Sequence, residues 1–118
     1  MDKIYSILNQ FETISEDAKS ELNCFISIKE FTKGSLLLEQ GKICRNLYFI
    51  KSGFVRSFFN QDGKEITSWF AFEQEAVTSM YSFVSQKPSF ESIEVLENTV
   101  LESISYENLQ KLYKNTLK

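Results

Sequence analysis

The spacing of glycine constrains this chain more than any other feature. There are four glycines, Gly34, Gly41, Gly53 and Gly63, and each closes a short run of alternating or β-branched and aromatic residues. Glycine tolerates positive φ, so it sits naturally where a strand ends in a tight turn. The runs 25–32, 35–39, 46–50, 54–59 and 64–70 read as strands, and 92–96 and 99–104 make a further pair around Glu97-Asn98. Asp62-Gly63 between two such runs is the strongest hairpin signal in the chain. Turns about every ten residues predict a small antiparallel β-roll, a jelly-roll barrel. The 11 Phe, 5 Tyr and 1 Trp suit such an interior better than a helical bundle.

Helical patterns flank the strands. Ile4, Ile7, Leu8 and Phe11 form one apolar stripe, and the Thr13-x-x-Glu16 spacing of a capping box predicts a second helix from Ile14 to about Leu22. Residues 1–22 are thus expected to be leading helices packed outside a β-roll spanning 23–104. Ser105 caps a C-terminal helix carrying Leu109, Leu112 and Tyr113. The pattern is still helical at Lys118, with no Gly or Pro stop, so a fragment of a longer protein is expected. At 118 residues the whole, 1–118, is a single domain.

Composition excludes several functions. The net charge of −3 leaves no basic footprint for nucleic acid. No apolar run reaches the roughly 20 residues that span a bilayer, and the N-terminus lacks the apolar stretch of a signal peptide. A cytoplasmic protein with no membrane partner is expected. Cys24 and Cys44 fit neither a disulfide framework nor a zinc spacing and read as free thiols. The chain has no histidine, which removes Ser-His and Cys-His nucleophile pairs and most transition-metal sites. A metal-dependent cupin enzyme is disfavoured on that ground, and no catalytic carboxylate pair stands out. The expectation is no enzyme, no metal and no cofactor.

The stretch from Glu75 to Leu96 breaks the strand pattern. A short helical segment near 79–85 precedes the chain's one proline, Pro88. A helical turn set between two strands presents free backbone N–H groups, a natural seat for an anion. Three ordered blocks accompany it: Phe-x-Lys-Gly-x-x-Leu-Leu-x-Gln-Gly (31–41), Leu-Tyr-Phe-Ile-Lys-Ser-Gly (47–53) and Asp-Gly-Lys-Glu (62–65). In these blocks, and over about residues 10–118, the chain resembles the cyclic-nucleotide-binding domain of the Crp/Fnr family of bacterial transcription regulators.

The resemblance implies a phosphate-binding cassette at 75–96. In that family a Gly-Glu pair opens the cassette helix, the Glu holding the ribose hydroxyl, and an Arg pairs with the cyclic phosphate. Here the Gly-Glu positions fall on Thr78-Ser79 and the Arg position on Ser89. Serine cannot replace a bidentate guanidinium, so cyclic AMP binding of the usual kind is not expected. Arg56 carries two readings: it faces the pocket and restores the charge from the opposite wall, or it lies on the solvent face paired with an acid on a neighbouring strand. Ser79, Ser82 and Ser89 either line a polar pocket or are ordinary turn formers. The candidate ligand residues are Arg56, Ser68, Thr78, Ser79, Met80, Ser89 and Phe90. The function implied is the sensory domain of a Crp/Fnr-like regulator, binding a small effector, anions among the candidates. The full-length protein would form a homodimer through the C-terminal helix and meet DNA through a helix-turn-helix domain that this chain lacks. The alternative is a ligand-free interaction domain whose pocket is filled by Phe90 with Met80, Tyr81 and Phe83.

Overall fold

The computed structural model of the protein describes residues 23–116. The order of elements is β1 (Ser27–Phe31), β2 (Leu36–Leu38), β3 (Asn46–Ser52), β4 (Val55–Gln61), β5 (Lys64–Ala71), β6 (Ala76–Val77), α1 (Met80–Ser85), β7 (Ser92–Val95), β8 (Thr99–Ser105) and α2 (Tyr106–Thr116). The strands form two four-stranded sheets, ordered β1-β8-β3-β6 and β2-β7-β4-β5. Every neighbouring pair is antiparallel. This is the double Greek-key order of a jelly roll. The expected barrel is not closed: the two sheets share no ladder, and they face each other across side chains instead.

The hairpin expected at Asp62-Gly63 is present. Gln61 pairs with Lys64, and the two residues between them take φ of 52° and 81°, the left-handed pair that a two-residue turn demands. One expectation at the N-terminal side changes. The strand read from 25 begins at Ser27, and residues 23–25 are helical. Phe25 and Ile26 both pack on the core, which consecutive strand residues, pointing to opposite faces, do not do. The leading helices over 1–22 lie outside the described residues. The C-terminal helix starts as expected, with the Asn108 N–H donating to Ser105 Oγ at 3.1 Å.

The core joins the two sheets. Ile50 lies opposite Leu101 in one and Val55 opposite Val95 in the other, all four essentially inaccessible. Each such side chain contributes about 1.5–3 kcal/mol on burial. The chain passes from the first sheet to the second at Gly53, where φ is 132°. A Cβ there would stand 2.1 Å from Thr99 Oγ1. Thr99 is itself buried, accepting from the Phe54 N–H at 3.3 Å and donating to the Glu97 carbonyl at 2.8 Å.

Gly53→Ala is expected to destabilise the fold by about 3 kcal/mol, since backbone strain and overpacking act together. Gly63→Ala, whose Cβ meets nothing, should cost about 1–2 kcal/mol from φ alone. Urea unfolding of the two variants measures the difference; equal midpoints would show that the Thr99 contact relaxes freely.

Candidate ligand site in the cassette

The cassette is α1 and the turn that follows it. Ser79, extended at φ −88°, precedes the helix, and Gln86 ends it in the left-handed region at φ 55°. A non-glycine residue in that region needs support. Gln86 has it: its Nε2 donates to the Phe83 carbonyl at 2.8 Å and to the Cys44 carbonyl at 3.0 Å. Ser82, fully buried on α1, accepts from the Cys44 N–H at 2.7 Å and donates to the Lys87 carbonyl at 2.5 Å. Beyond Pro88, which forms a bridge with Ile43, the Gly41 N–H donates to the Ser89 carbonyl and the Ser89 N–H to the Lys42 carbonyl, both at 2.8 Å. The cassette is therefore stitched to the segment 41–44.

Ser79 does not cap α1 with its side chain. Its hydroxyl turns inward and lies 3.0 Å from Ser89 Oγ, with both residues buried. Ser89 Oγ donates to the Glu91 carbonyl oxygen at 2.8 Å and accepts from the Glu91 N–H at 3.0 Å. Because Ser89 spends its one proton on that carbonyl, Ser79 is the donor between the two hydroxyls. The Glu91 side chain then reaches β4, where Ser57 Oγ, fully buried, donates to Oε1 at 2.7 Å. Four residues from the cassette and β4 thus share one polar network. Ser79 and Ser89 occupy the two positions where the resemblance implies opposite charges.

The other candidates lie elsewhere. Thr78 Oγ1 donates to the Asn46 carbonyl at 3.2 Å and sits 3.3 Å from Cys44 Sγ. Ser68 is exposed at a bulge, skipped as the register passes from Ser57–Trp69 to Phe58–Thr67. Arg56 alternates with buried Val55 and Ser57, so it lies on the other face of β4. Its Nε donates to Glu94 at 2.8 Å, Nη2 to Glu65 at 2.9 Å and Nη1 to Thr67 at 3.0 Å, and its guanidinium lies 4.2 Å from the centroid of the Phe58 ring. The hydrogen bonds to Glu65 and then Glu94 raise its pKa above the ordinary guanidinium value.

The aromatic filling expected of the alternative reading is not found. Phe90 is 70% exposed, and its ring lies 5.0 Å from that of Tyr81, itself exposed. Met80 is also exposed. Phe83 is buried, but it packs edge-on against Tyr106 at 5.6 Å. Since Ser89 turns inward, the next residue of an extended chain must turn out. Residue types alone did not bring out Ser57 and Glu91. The available signal was parity: Ser57 shares a face with Val55, and Glu91 stands two residues after Ser89. On its outer side α1 borders an apolar groove of about 680 Å³ lined by Trp69, Phe70, Met80, Val84, Tyr106 and Leu109, among others.

The sequence profile of the cyclic nucleotide-binding domain matches residues 28–116. The chain belongs to the cyclic nucleotide-binding domain family. Among solved structures it is similar to the catabolite activator protein of Thermus thermophilus, with a TM-score of 0.74 at 21% identity, covering 89% of this chain and 49% of that one. It is similar to a global regulator of Xanthomonas campestris described as responsive to cyclic di-GMP, with a TM-score of 0.70 at 20% identity, covering 85% and 49%. It is also similar to a cyclic-AMP-independent protein kinase A regulatory subunit of Trypanosoma cruzi bound to guanosine, with a TM-score of 0.73 at 15% identity, covering 86% and 36%. The chain spans about half or less of each. Comparison of the sequence with curated proteins finds no match. Among the described residues no helix is long and apolar enough to cross a membrane.

Ser82→Ala removes the partner of a backbone N–H and of a backbone carbonyl, and should cost about 2–4 kcal/mol. Hydrogen exchange at the Cys44 amide checks it: that amide should exchange faster while those of β8 keep their ranking. Arg56→Ala should cost only about 1 kcal/mol, because its carboxylate partners keep access to water. A salt titration of the wild-type and variant stabilities should show the difference shrinking as ionic strength rises.

Proposed function

We propose that this chain is the effector-sensing domain of a Crp-like transcription regulator and that its ligand enters at the cassette without the two-charge grip used on cyclic AMP. The observation that carries this reading is the buried Ser79–Ser89 contact at 3.0 Å, inside an otherwise complete cassette. The helix, its left-handed exit and the stitching to 41–44 are the machinery of a ligand cradle; only the charged pair is replaced. The similar folds support a reading in which this fold takes different ligands, since one of those proteins is described as responsive to cyclic di-GMP and another as bound to guanosine. In the full-length protein the sensing domain would act as a homodimer and reach DNA through a separate helix-turn-helix domain. A ligand would act by favouring one of two arrangements of the helices that follow the roll.

A second reading is an interaction domain that needs no ligand. Phe70, Phe72, Met80, Val84 and Phe90 are all exposed, which favours a partner surface.

Thermal unfolding of the chain with cyclic AMP, cyclic GMP, cyclic di-GMP and a panel of small metabolites separates the readings. Cyclic AMP is expected to leave the midpoint unchanged, whereas an effector at about one hundred times its Kd should add about 2.7 kcal/mol. Micromolar binding of cyclic AMP would contradict the altered grip. A flat response to every compound would favour the interaction domain.

A further inference from the structure

The cassette helix is inverted in its polarity. Of the six residues of α1, Ser82 and Phe83 are buried, while Met80, Tyr81 and Val84 are exposed. Met80 and Val84 stand one helical turn apart, and both line the groove of about 680 Å³ between α1, α2 and β5. Phe70, also exposed, lines it from β5. Exposed apolar side chains gathered around one concavity mark a surface built to be covered. Among the described residues Glu75 is the only charged one that lines the groove.

Residues 2–11 carry the complementary pattern. Ile4, Ile7, Leu8 and Phe11 repeat at i, i+3, i+4 and i+7, the anchor spacing with which a helix fills an apolar groove. Lys3, four residues before Ile7, is the only cation of the segment and would flank that stripe as the complement of Glu75. The topology brings the segment to the right end of the roll. β1 begins at Ser27, opposite Ser103, and β8 runs only two residues further before α2 begins. The chain thus enters the described structure beside the helix that forms one wall of the groove. β3 and β6, which contribute Leu47 and Ala76 to it, belong to the same sheet, and three strand spacings from β1 to β6 are about 14 Å. The eleven residues 12–22 bridge about 16 Å as a helix and about 36 Å when extended.

We propose that residues 2–11 seat in this groove as an amphipathic helix, with Ile7 and Leu8 inward, and so join the cassette helix α1 to α2. The exposed apolar surface then has its partner within the chain. The inference does not depend on a ligand: it holds for a sensing domain and for a ligand-free one alike.

Trp69, the chain's only tryptophan, lines the groove and reports on its cover. Ile7→Asp and Leu8→Asp in the 118-residue chain place a carboxylate on the apolar stripe, and Ser6→Asp places the same charge on the opposite side. The two stripe variants are expected to shift Trp69 emission to longer wavelength and to steepen its quenching by acrylamide, with the circular dichroism of the roll retained. Ser6→Asp is expected to match wild type. A peptide of residues 1–13 added to the Ile7→Asp chain is expected to reverse the shift. Unchanged Trp69 emission in both stripe variants overturns the proposal, as does an equal shift in Ser6→Asp or a shift that the peptide does not reverse. A wild-type emission that moves to longer wavelength on dilution overturns it too, and assigns the groove to a second copy of the chain. If the aspartate variants do not fold, Ile7→Ala combined with Leu8→Ala makes the same comparison. The acrylamide slope then rises if the segment covers the groove and keeps its wild-type value if it lies elsewhere.

Discussion

The contact between the Thr99 side chain and the bare Cα of Gly53 is the point on which the architecture turns. The two sheets share no hydrogen-bonded ladder, so they depend on corners where the chain crosses and on the side chains between them. At Gly53 the chain leaves β3 for β4, and Thr99, the first residue of β8, fills the space a side chain would need. The threonine hydroxyl also satisfies the Phe54 N–H just past the corner. One residue of the first sheet therefore fixes the entry angle of the strand that carries Ser57 and, on its other face, Arg56. A change in that angle would alter the reach from Ser57 to Glu91.

The cassette exchanges charge for connectivity. An Arg and a Glu at the two positions would await a ligand to balance them. Two serines satisfy each other, then a backbone peptide, and finally a carboxylate held by a third serine. Buried polar groups tolerate a low-dielectric surrounding only when such a network is nearly complete. The arrangement thus stands without a bound anion. Arg56, which looks like a replacement charge in the sequence, is instead absorbed by a cross-strand cluster with Glu65, Glu94 and Thr67.

Much of this was legible in the residues, and the losses have identifiable causes. Turn chemistry located the β4–β5 hairpin, because Asp62-Gly63 demands positive φ at both positions. The short helix and its proline-led exit were visible as a break in alternation. Side-chain direction was harder. The bulge that skips Ser68 resets the parity of β5 against β4, and no residue type announces it. Phe90 looked like a filler by size, yet the inward turn of Ser89 leaves it outside. Glu91 carries no signal in the sequence, because a carboxylate in a polar stretch resembles any solvated charge; only the partner on β4, 34 residues away, sets it apart. Long-range pairing of this kind is what local pattern cannot supply.

That same distance bears on the order in which the molecule assembles. The ties that join the cassette to the rest of the roll run from Ser82 to Cys44, from Ser89 to Lys42 and from Glu91 to Ser57, and none of these three is local. Loop-closure entropy must be met before such contacts yield anything, so the cassette gains little from its own six-residue helix and much from a roll already formed. The cassette is therefore expected to condense late during folding and to open before the strands beneath it. The cassette is thus built on a scaffold that does not need it in order to stand.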